Sequence, residues 1–326
     1  MSERVLVCGG AGYIGSHLLS LLVDRGNFVP THDNLSTGHR AAVQWGEFIQ
    51  ADLADHDALD DIFASGNFDA VVHFAARSLV AESVSDPFGY YQANVAGSLN
   101  LLNAMRRHGV SRLVFSSTAA VYGVPSTAMI DEEQPTFPIN PYGASKLMVE
   151  RFLHDAAAAY GLRSVALRYF NAAGARSDGR IGESHNPETH LIPNVLRAAA
   201  GAGPALKVFG DDYQTLDGTC IRDYVHVDDL AQAHALALDF INDESGAHIF
   251  NLGSGRGFSV LEVIEAAERV TGLVVPFSVS SRRVGDPAVL VASNSRAKEV
   301  LGWSPRYTDL EEIVSTAWAW HQNQRY

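Results

Sequence analysis

Cysteine is nearly absent. Cys8 and Cys220 are the only two in 326 residues, too few for a disulfide framework and suited to a reducing compartment. Cys8 sits in an apolar run and reads as core filler, and nothing around Cys220 marks it as a nucleophile. Positive charge is scarce as well: 24 Lys and Arg stand against 37 Asp and Glu, a formal net charge of -13. That balance argues against non-specific binding to nucleic acid or an anionic membrane, although a local arginine cluster can still take an anionic substrate. No apolar stretch is long enough to span a bilayer and no signal peptide precedes the first apolar run, so a cytoplasmic protein is expected. Repeats and low-complexity segments are also lacking. What is left is an ordinary globular composition, 47% apolar, with a mean hydropathy of -0.01. A chain of this length outgrows a single core, which predicts two lobes.

The first apolar run, Val5-Leu6-Val7-Cys8, is two-sided, as in a buried parallel strand. It enters Gly9-Gly10-Ala11-Gly12-Tyr13-Ile14-Gly15, and helical spacing follows from Ser16. Glycines in this order serve a tight turn, close approach of backbone to a pyrophosphate, and close packing of helix on strand. The helix N-terminus then offers N–H groups and its positive dipole end to the phosphates. A second strand at 28–32 ends at Asp33, placed to accept hydrogen bonds from adenosine ribose hydroxyls and to repel a 2′-phosphate. NAD is therefore expected rather than NADP. The polar loop 34–39 is placed to wrap the adenosine.

A third strand at 47–50 leads to Asp52 and Leu53, with a helix from about Asp55. Asp52 reads either as a helix-start residue or as a partner of the adenine amino group. A fourth strand at 70–76 ends in small residues that let a cofactor lie close, and His73 within it reads as a core histidine. A helical pattern over 88–107 contains Asn94, either an amide bonded to backbone or a group that positions an active-site loop. A fifth strand at 112–118 ends in hydroxyls, where open α/β sheets bind ligands. Helix and strand recur at 142–160 and 163–170. This alternation specifies an α/β fold built on a doubly wound parallel (Rossmann) sheet with right-handed crossovers.

Beyond Asn171 the rhythm breaks. Residues 172–189 are polar and Gly-rich, marking a change of lobe or a ligand loop. The stretch 210–224 is turn-rich and then strand-like. A helix at 228–240, a strand at 248–252 and a helix at 259–270 resume the alternation. Residues 282–287 form a polar loop with adjacent arginines, and a terminal helix from about Asp309 uses Trp318 and Trp320 for packing. The expected division is a nucleotide-binding domain at 1–171, to which 226–252 return, and a smaller substrate-binding α/β lobe from 172–225 and 253–326.

The chemistry centres on Pro141-Tyr142-Gly143-Ala144-Ser145-Lys146. A Tyr and a Lys four apart share one helix face, and Pro141 suits the first helical position. A free phenol, with a pKa of about 10, is a poor base near neutrality, and a neighbouring ammonium favours its ionised form. Such a pair also occurs as a surface Tyr beside a solvated Lys. Here it coincides with the Gly-rich turn and with a hydroxyl, Thr118, at a strand end.

Seven strings, GGAGYIGSH, DNLSTGH, FSSTAAVYG, NPYGASK, RYFNAAGA, FGDDYQTLDGTCIRDYVHVDDL and RRVGDPA, spread along nearly the whole chain. With them the sequence resembles the extended short-chain dehydrogenase/reductase superfamily, and within it the UDP-glucose 4-epimerase family. The first four strings mark the superfamily and the last two the epimerase group. The resemblance implies inversion at C4 of UDP-galactose and UDP-glucose through a transient 4-keto sugar, with tightly bound NAD. It implies Tyr142 as base, Thr118 in its proton network, and Lys146 on the nicotinamide ribose, holding the phenolate. Gly9, Gly12, Tyr13, Ile14, Gly15, Asp33, Asn34, Asp52, Leu53, Phe74, Ala75, Ala76, Asn94, Ser116 and Tyr169 would contact NAD together with Tyr142 and Lys146. Asn171, His190, Leu191, Phe209, Arg222, Tyr224, Arg283 and Asp286 would hold the UDP-sugar together with Thr118. Two arginines can clamp a diphosphate, an aromatic ring can pack on uracil, and a carboxylate can take a ribose hydroxyl. A homodimer is implied, pairing helices near 88–107 and 142–160 across a two-fold axis. No metal ligand is assigned.

Departures from the family pattern are Ser78, where many members have Lys, and His190, where many have Asn. Leu290 falls at about the position of a residue that narrows the sugar pocket in some members; a smaller side chain there leaves room for an N-acetyl group. A nucleotide-sugar 4,6-dehydratase on the same scaffold needs an acid and a base beside the Thr, whereas Thr118 is followed by Ala119-Ala120. An epimerase of pentose or uronic-acid sugars is separated poorly. A dinucleotide-sensing binding protein has no need of Tyr142, Lys146 and Thr118 together.

Overall fold

The computed structural model describes residues 2–125, 127, 129–283 and 286–326. A seven-stranded sheet forms its centre, in the spatial order Ala247–Leu252, Arg163–Tyr169, Arg112–Ser116, Ala70–His73, Val5–Cys8, Thr31–Asp33, Phe48–Gln50. Every neighbouring pair in it is parallel. Alternate side chains feed opposite faces, as the pleat requires. Val5 and Val7 join Val72, Val114, Leu167 and Phe250 beneath the helices Tyr13–Asp24 and Val227–Asp243. Leu6 and Cys8 join Val71, Leu113 and Phe115 on the other face, against Leu59, Leu101 and Leu153. Cys8 is core, as expected, and so is His73, whose Nε2 lies 2.8 Å from Ser98 Oγ. Each fully buried Leu or Phe in these layers contributes about 1.5–3 kcal/mol, so the sheet is a rigid base for whatever its carboxyl ends carry.

After Arg163–Tyr169 the chain leaves this sheet and builds most of a second, to which the earlier strand Met129–Ile130 also belongs. Strands Gly257–Ser259, Ile221–His226, Val289–Ala292 and Met129–Ile130 run side by side, with Asn171–Ala173 pairing on Tyr224–His226. Leu206–Phe209 and Phe277–Ser280 form a separate parallel pair. Helices Leu191–Ala199, Val260–Thr271 and Leu310–Gln322 close a third core over these strands. Between those excursions Ala247–Leu252 returns to the large sheet beside Arg163–Tyr169. Among the described residues, no helix is long and apolar enough to cross a membrane.

Two local expectations need correction. The helical pattern at 88–107 is interrupted: a turn at Pro87–Tyr90 leads through a π-helical segment, Tyr91–Ala96, into Gly97–Arg107. The helix Leu191–Ala199 was not anticipated from the sequence, and it accommodates Pro193. At its place in the first turn, a missing N–H costs no hydrogen bond.

Candidate active site

A cleft of about 1460 Å³ opens at the carboxyl ends of the large sheet and runs toward the second sheet. It straddles the point where strand order reverses, between Val5–Cys8 and Ala70–His73, the expected ligand crevice of an open α/β sheet. Single-ligand sites fill roughly 300–1,000 Å³, so there is room for two molecules.

One half is built from strand ends and glycines. A Cβ on Gly15 would fall 2.3 Å from Gly9 O and 2.8 Å from Gly10 Cα, and one on Gly9 would fall 2.5 Å from Ala75 N. Helix Tyr13–Asp24 starts after Gly12 with no side-chain cap, leaving its first N–H groups for an anion. Asp33, at the end of the second strand, accepts from Ala11 N at 3.0 Å and from Leu35 N at 2.8 Å. Each oxygen keeps a lone pair for a ribose hydroxyl, and burial raises this carboxyl above its ordinary pKa. Asp52 receives Asn34 Nδ2 at 2.6 Å and Ala54 N at 2.8 Å, and these bonds hold its carboxyl below the usual value. Leu53, Phe74, Ala75 and Ala76 complete this wall. The donors, the small residues and the bare helix end fit a dinucleotide.

The middle of the cleft holds Tyr142, Lys146 and Thr118. Helix Pro141–Tyr160 starts with Asn140, whose side chain accepts from Gly143 N at 2.8 Å, and Pro141 takes the first helical position as anticipated. This sets Tyr142 and Lys146 on the cleft wall. The Tyr142 phenol hydrogen-bonds to Thr118, whose Oγ1 also accepts from Ala120 N at 3.1 Å. Lys146 Nζ donates to Ser116 O at 2.8 Å, while Ser116 Oγ lies 2.5 Å from Tyr169 OH. Burial dominates both ionisations: it raises the Tyr142 phenol, against the Thr118 bond, and lowers Lys146 to about 7. Burial thus disfavours the charged form of both groups, the Tyr142 phenolate and the Lys146 ammonium alike.

Under this helix lies an ion pair that sequence reading did not find. Arg168 Nε and Nη2 donate to Glu150 at 2.9 and 2.5 Å, and Ser117 Oγ donates to the same carboxylate at 2.5 Å. Arg168 also reaches Tyr122 OH, which donates to Asn251 at 2.7 Å. The network ties the Tyr142 helix to two strands of the large sheet, Arg163–Tyr169 and Ala247–Leu252, and to Ser117 just past the end of a third.

The far half is lined by loops. Arg222 pairs with Asp286, and the Arg283 guanidinium sits 4.2 Å from the centroid of Phe209. Asn171 donates to Asp223 O at 2.8 Å, while Tyr224, His190 and Leu191 add further wall. Ser78 and Leu290, the departures noted above, face the same cleft. Val284 and Gly285 of the RRVGDPA string lie outside the described residues. Every other residue expected to bind cofactor or substrate lines this cleft, with one exception. Asn94 is buried behind it: Oδ1 accepts from Arg77 N at 2.8 Å, and Nδ2 donates to Arg77 O at 2.9 Å and to Ser145 Oγ at 3.0 Å. With its amide bonded to the Arg77 backbone and the Ser145 hydroxyl, Asn94 positions the loop after the fourth strand against the Tyr142 helix.

Beside His190 the structure gathers Glu183, His185 and Glu188, none of them singled out from sequence. The readable signal was the spacing His185-x-x-Glu188-x-His190.

Residues 5–253 match the NAD dependent epimerase/dehydratase family. The chain belongs to that family. A relative within it, UDP-glucose 4-epimerase of Halalkalibacterium halodurans, is 52% identical over 98% of this chain and 95% of its own. UDP-glucose 4-epimerase from Brucella ovis, solved in complex with NAD, superposes with a TM-score of 0.95 at 50% identity, covering 97% and 98% of the two chains. The Bifidobacterium longum enzyme, solved with NAD+ and UDP, gives 0.93 at 39% identity over 98% of each. The family resemblance and the doubly wound parallel fold expected from sequence both hold.

Proposed function

We propose that this epimerase/dehydratase family member interconverts UDP-glucose and UDP-galactose by inverting C4, using bound NAD. The observation that carries the reading is one cleft in which Tyr142, Thr118 and Lys146 lie between the uncapped Gly-rich turn and the pair Arg222 and Arg283. Residues 1–171 with 226–252 hold NAD, and 172–225 with 253–326 hold the UDP-sugar. Gly9, Gly12 and Gly15 admit the pyrophosphate to backbone, Asp33 takes the adenosine ribose, and Lys146 takes the nicotinamide ribose.

When bound, NAD supplies reversible storage of the hydrogen and two electrons that leave C4, together with a positive charge near the phenol. Tyr142 accepts the proton of the sugar 4-hydroxyl through its contact with Thr118 and returns it when the 4-ketone is reduced. Lys146, near-neutral in pKa, supports the phenolate once the site is filled. Arg222 and Arg283 clamp the diphosphate, and Asp286 exchanges its bond to Arg222 for a ribose hydroxyl. Firm hold on the UDP and loose hold on the sugar let the ketone turn its other face before reduction.

The deciding test is product analysis by NMR with UDP-galactose, UDP-N-acetylgalactosamine and UDP-xylose offered in turn. Conversion of UDP-galactose by NAD-loaded protein is the expected result, and no conversion of it overturns the reading. Leu290 packs half-buried against Val121, Tyr122 and Ile130 and lines the cleft, and the UDP-N-acetylgalactosamine arm of this test reads whether its side chain leaves room for an N-acetyl group.

Homodimer formation is supported by apolar side chains left exposed on the two helical segments: Phe88 is 83% exposed and Met148 44%. Light scattering should give twice the chain mass; a monomer at micromolar concentration contradicts it. The free thiols Cys8 and Cys220 suit a cytoplasmic enzyme.

A further inference from the structure

We propose that Glu183, His185, Glu188 and His190 bind one zinc ion, forming a structural clasp beside the cleft. Two imidazole nitrogens and two carboxylate oxygens lie within 4.8 Å of one another, the one such group of three or more among the described residues. Tetrahedral zinc, with ligands at about 2.0–2.2 Å, sets its donor atoms roughly 3.3–3.6 Å apart. His185 Nδ1 lies 3.2 Å from Glu183 Oε1 and 3.7 Å from Glu188 Oε2. His190 Nδ1 lies 3.9 Å from Glu188 Oε1 and is hydrogen-bonded directly to Glu183 Oε1, a contact that a bound ion would replace by opening that edge. The other edges of a small donor polyhedron are in place.

Unused valence points into the centre. Glu188 Oε1 is occupied by the N–H groups of Thr189 and His190, at 2.8 and 2.9 Å. Its other oxygen, Oε2, has no hydrogen-bond partner although the side chain is only 1% exposed. His185 Nδ1 is buried and likewise unpartnered: it is near both carboxylates but aligned with neither. A buried carboxylate oxygen and a ring nitrogen left this way each cost free energy unless something between them binds both.

Charge makes the same demand. Two carboxylates enclosed here call for two positive charges, which either two protons on the imidazoles or one divalent cation can supply. Protons would leave the Glu188 oxygen and the His185 nitrogen unused, whereas a cation at the centre uses both. Two imidazoles exclude magnesium and calcium, which want oxygen donors, and mixed nitrogen and carboxylate donors suit zinc. Four protein ligands close the coordination sphere, as in structural sites.

The surroundings explain what such a clasp would hold. Glu183 O accepts from Trp320 Nε1 at 2.8 Å, fixing the cluster to the last helix. His190 is the N-cap residue of Leu191–Ala199, and its carbonyl accepts from Asn194 Nδ2 at 2.9 Å. The His185 ring meets Tyr13 of the Gly-rich turn edge-on, with centroids 6.3 Å apart. One ion would thus join the substrate-side helix, the C-terminal helix and the cofactor turn.

The test uses untagged full-length protein, since a histidine tag binds zinc itself. Elemental analysis should find about one zinc per chain. Dialysis against a chelator should lower Tm, and zinc alone, not magnesium, should restore it. Glu188→Gln, which keeps the acceptor for both N–H groups, should weaken zinc binding at least about tenfold. Protein that holds no zinc, takes up none when it is added, and melts identically with chelator overturns the proposal. So does equal zinc uptake by wild type, Glu188→Gln and His185→Ala. Should the variants fail to fold, removal and return of zinc in the wild type decides alone.

Discussion

On the side of the cleft proposed to take the dinucleotide, the groups offered to a ligand are backbone N–H donors and side chains locked by the sheet. Asp33 is fixed by two N–H bonds, and Gly9 and Gly15 of the Gly-rich turn have no space for even a methyl group. On the substrate side, the ligand groups are arginines on loops and strand edges, and each already has an internal partner: Arg222 has Asp286 and Arg283 has the Phe209 ring. The first half is preorganised and loses little on binding, while the second must exchange existing contacts for new ones. A ligand that stays belongs on the first side, and one that arrives and leaves belongs on the second. One chain thereby combines a retained cofactor with an exchangeable substrate.

The largest effect should come from crowding the rigid half. Gly15→Ala would drive a methyl into Gly9 O and should destabilise the fold by about 4 kcal/mol or more, read as a lower Tm and protein purified without NAD. Retained NAD at wild-type Tm would mean the turn is more yielding than its geometry allows. Tyr142→Phe should lower kcat by about 10²–10⁴-fold with NAD content unchanged, and near-normal turnover would remove the assigned base. Softer losses belong to the exchangeable half. Arg222→Ala and Arg283→Ala should each raise KM for UDP-galactose by roughly 10–100-fold, the worth of a charged hydrogen bond, again without loss of NAD. If either variant lost NAD instead, the division of labour between the halves would fail.

Acid should attack the sheet side first. Burial lowers His17, His32 and His234 to about 4 and His73 and His226 to about 3, so they fold neutral. Their contribution is complete above the unfolded value of about 6.5 and is lost as pH falls toward 4. Burial also raises Asp223 and Asp228 to about 6, which acts in the opposite sense, favouring the fold as pH drops. Asp33 and Asp229, also raised by burial, add to that opposing sense; the five histidines still outweigh the four aspartates, so Tm should fall from pH 6.5 to 4, and a flat profile would contradict the buried neutral imidazoles. The smallest expected change is in sugar range. Leu290→Tyr should cut the turnover of UDP-N-acetylgalactosamine by about tenfold, with UDP-galactose nearly unaffected, since one pocket group is worth roughly 1–3 kcal/mol.

What was legible in the sequence was local. The Gly-rich turn between strand and helix, Asp33 closing the next strand, and Tyr142 one helical turn before Lys146 each sit within a few residues, where spacing fixes geometry. What escaped joins distant segments. Glu150 and Arg168 look like surface charges on a helix and a strand until the sheet brings them together under the Tyr142 helix. Asn94 was recognised as odd, but only the π turn shows that its amide faces Arg77 backbone and not the cleft. Glu183 and His190 are seven residues apart in a loop without periodicity, so nothing announced that they meet.

The last strand to enter the large sheet is Ala247–Leu252, and it pairs along the whole of Arg163–Tyr169. Between them the ribosome must make about 80 residues at roughly 5–20 per second. For on the order of 4–16 s, therefore, the nascent chain presents Arg163–Tyr169 as a bare, apolar sheet edge, the kind of surface that recruits other nascent chains. Delay in translating the intervening lobe would lengthen that interval, making synthesis rate a determinant of yield for a fold whose finished form buries the edge completely.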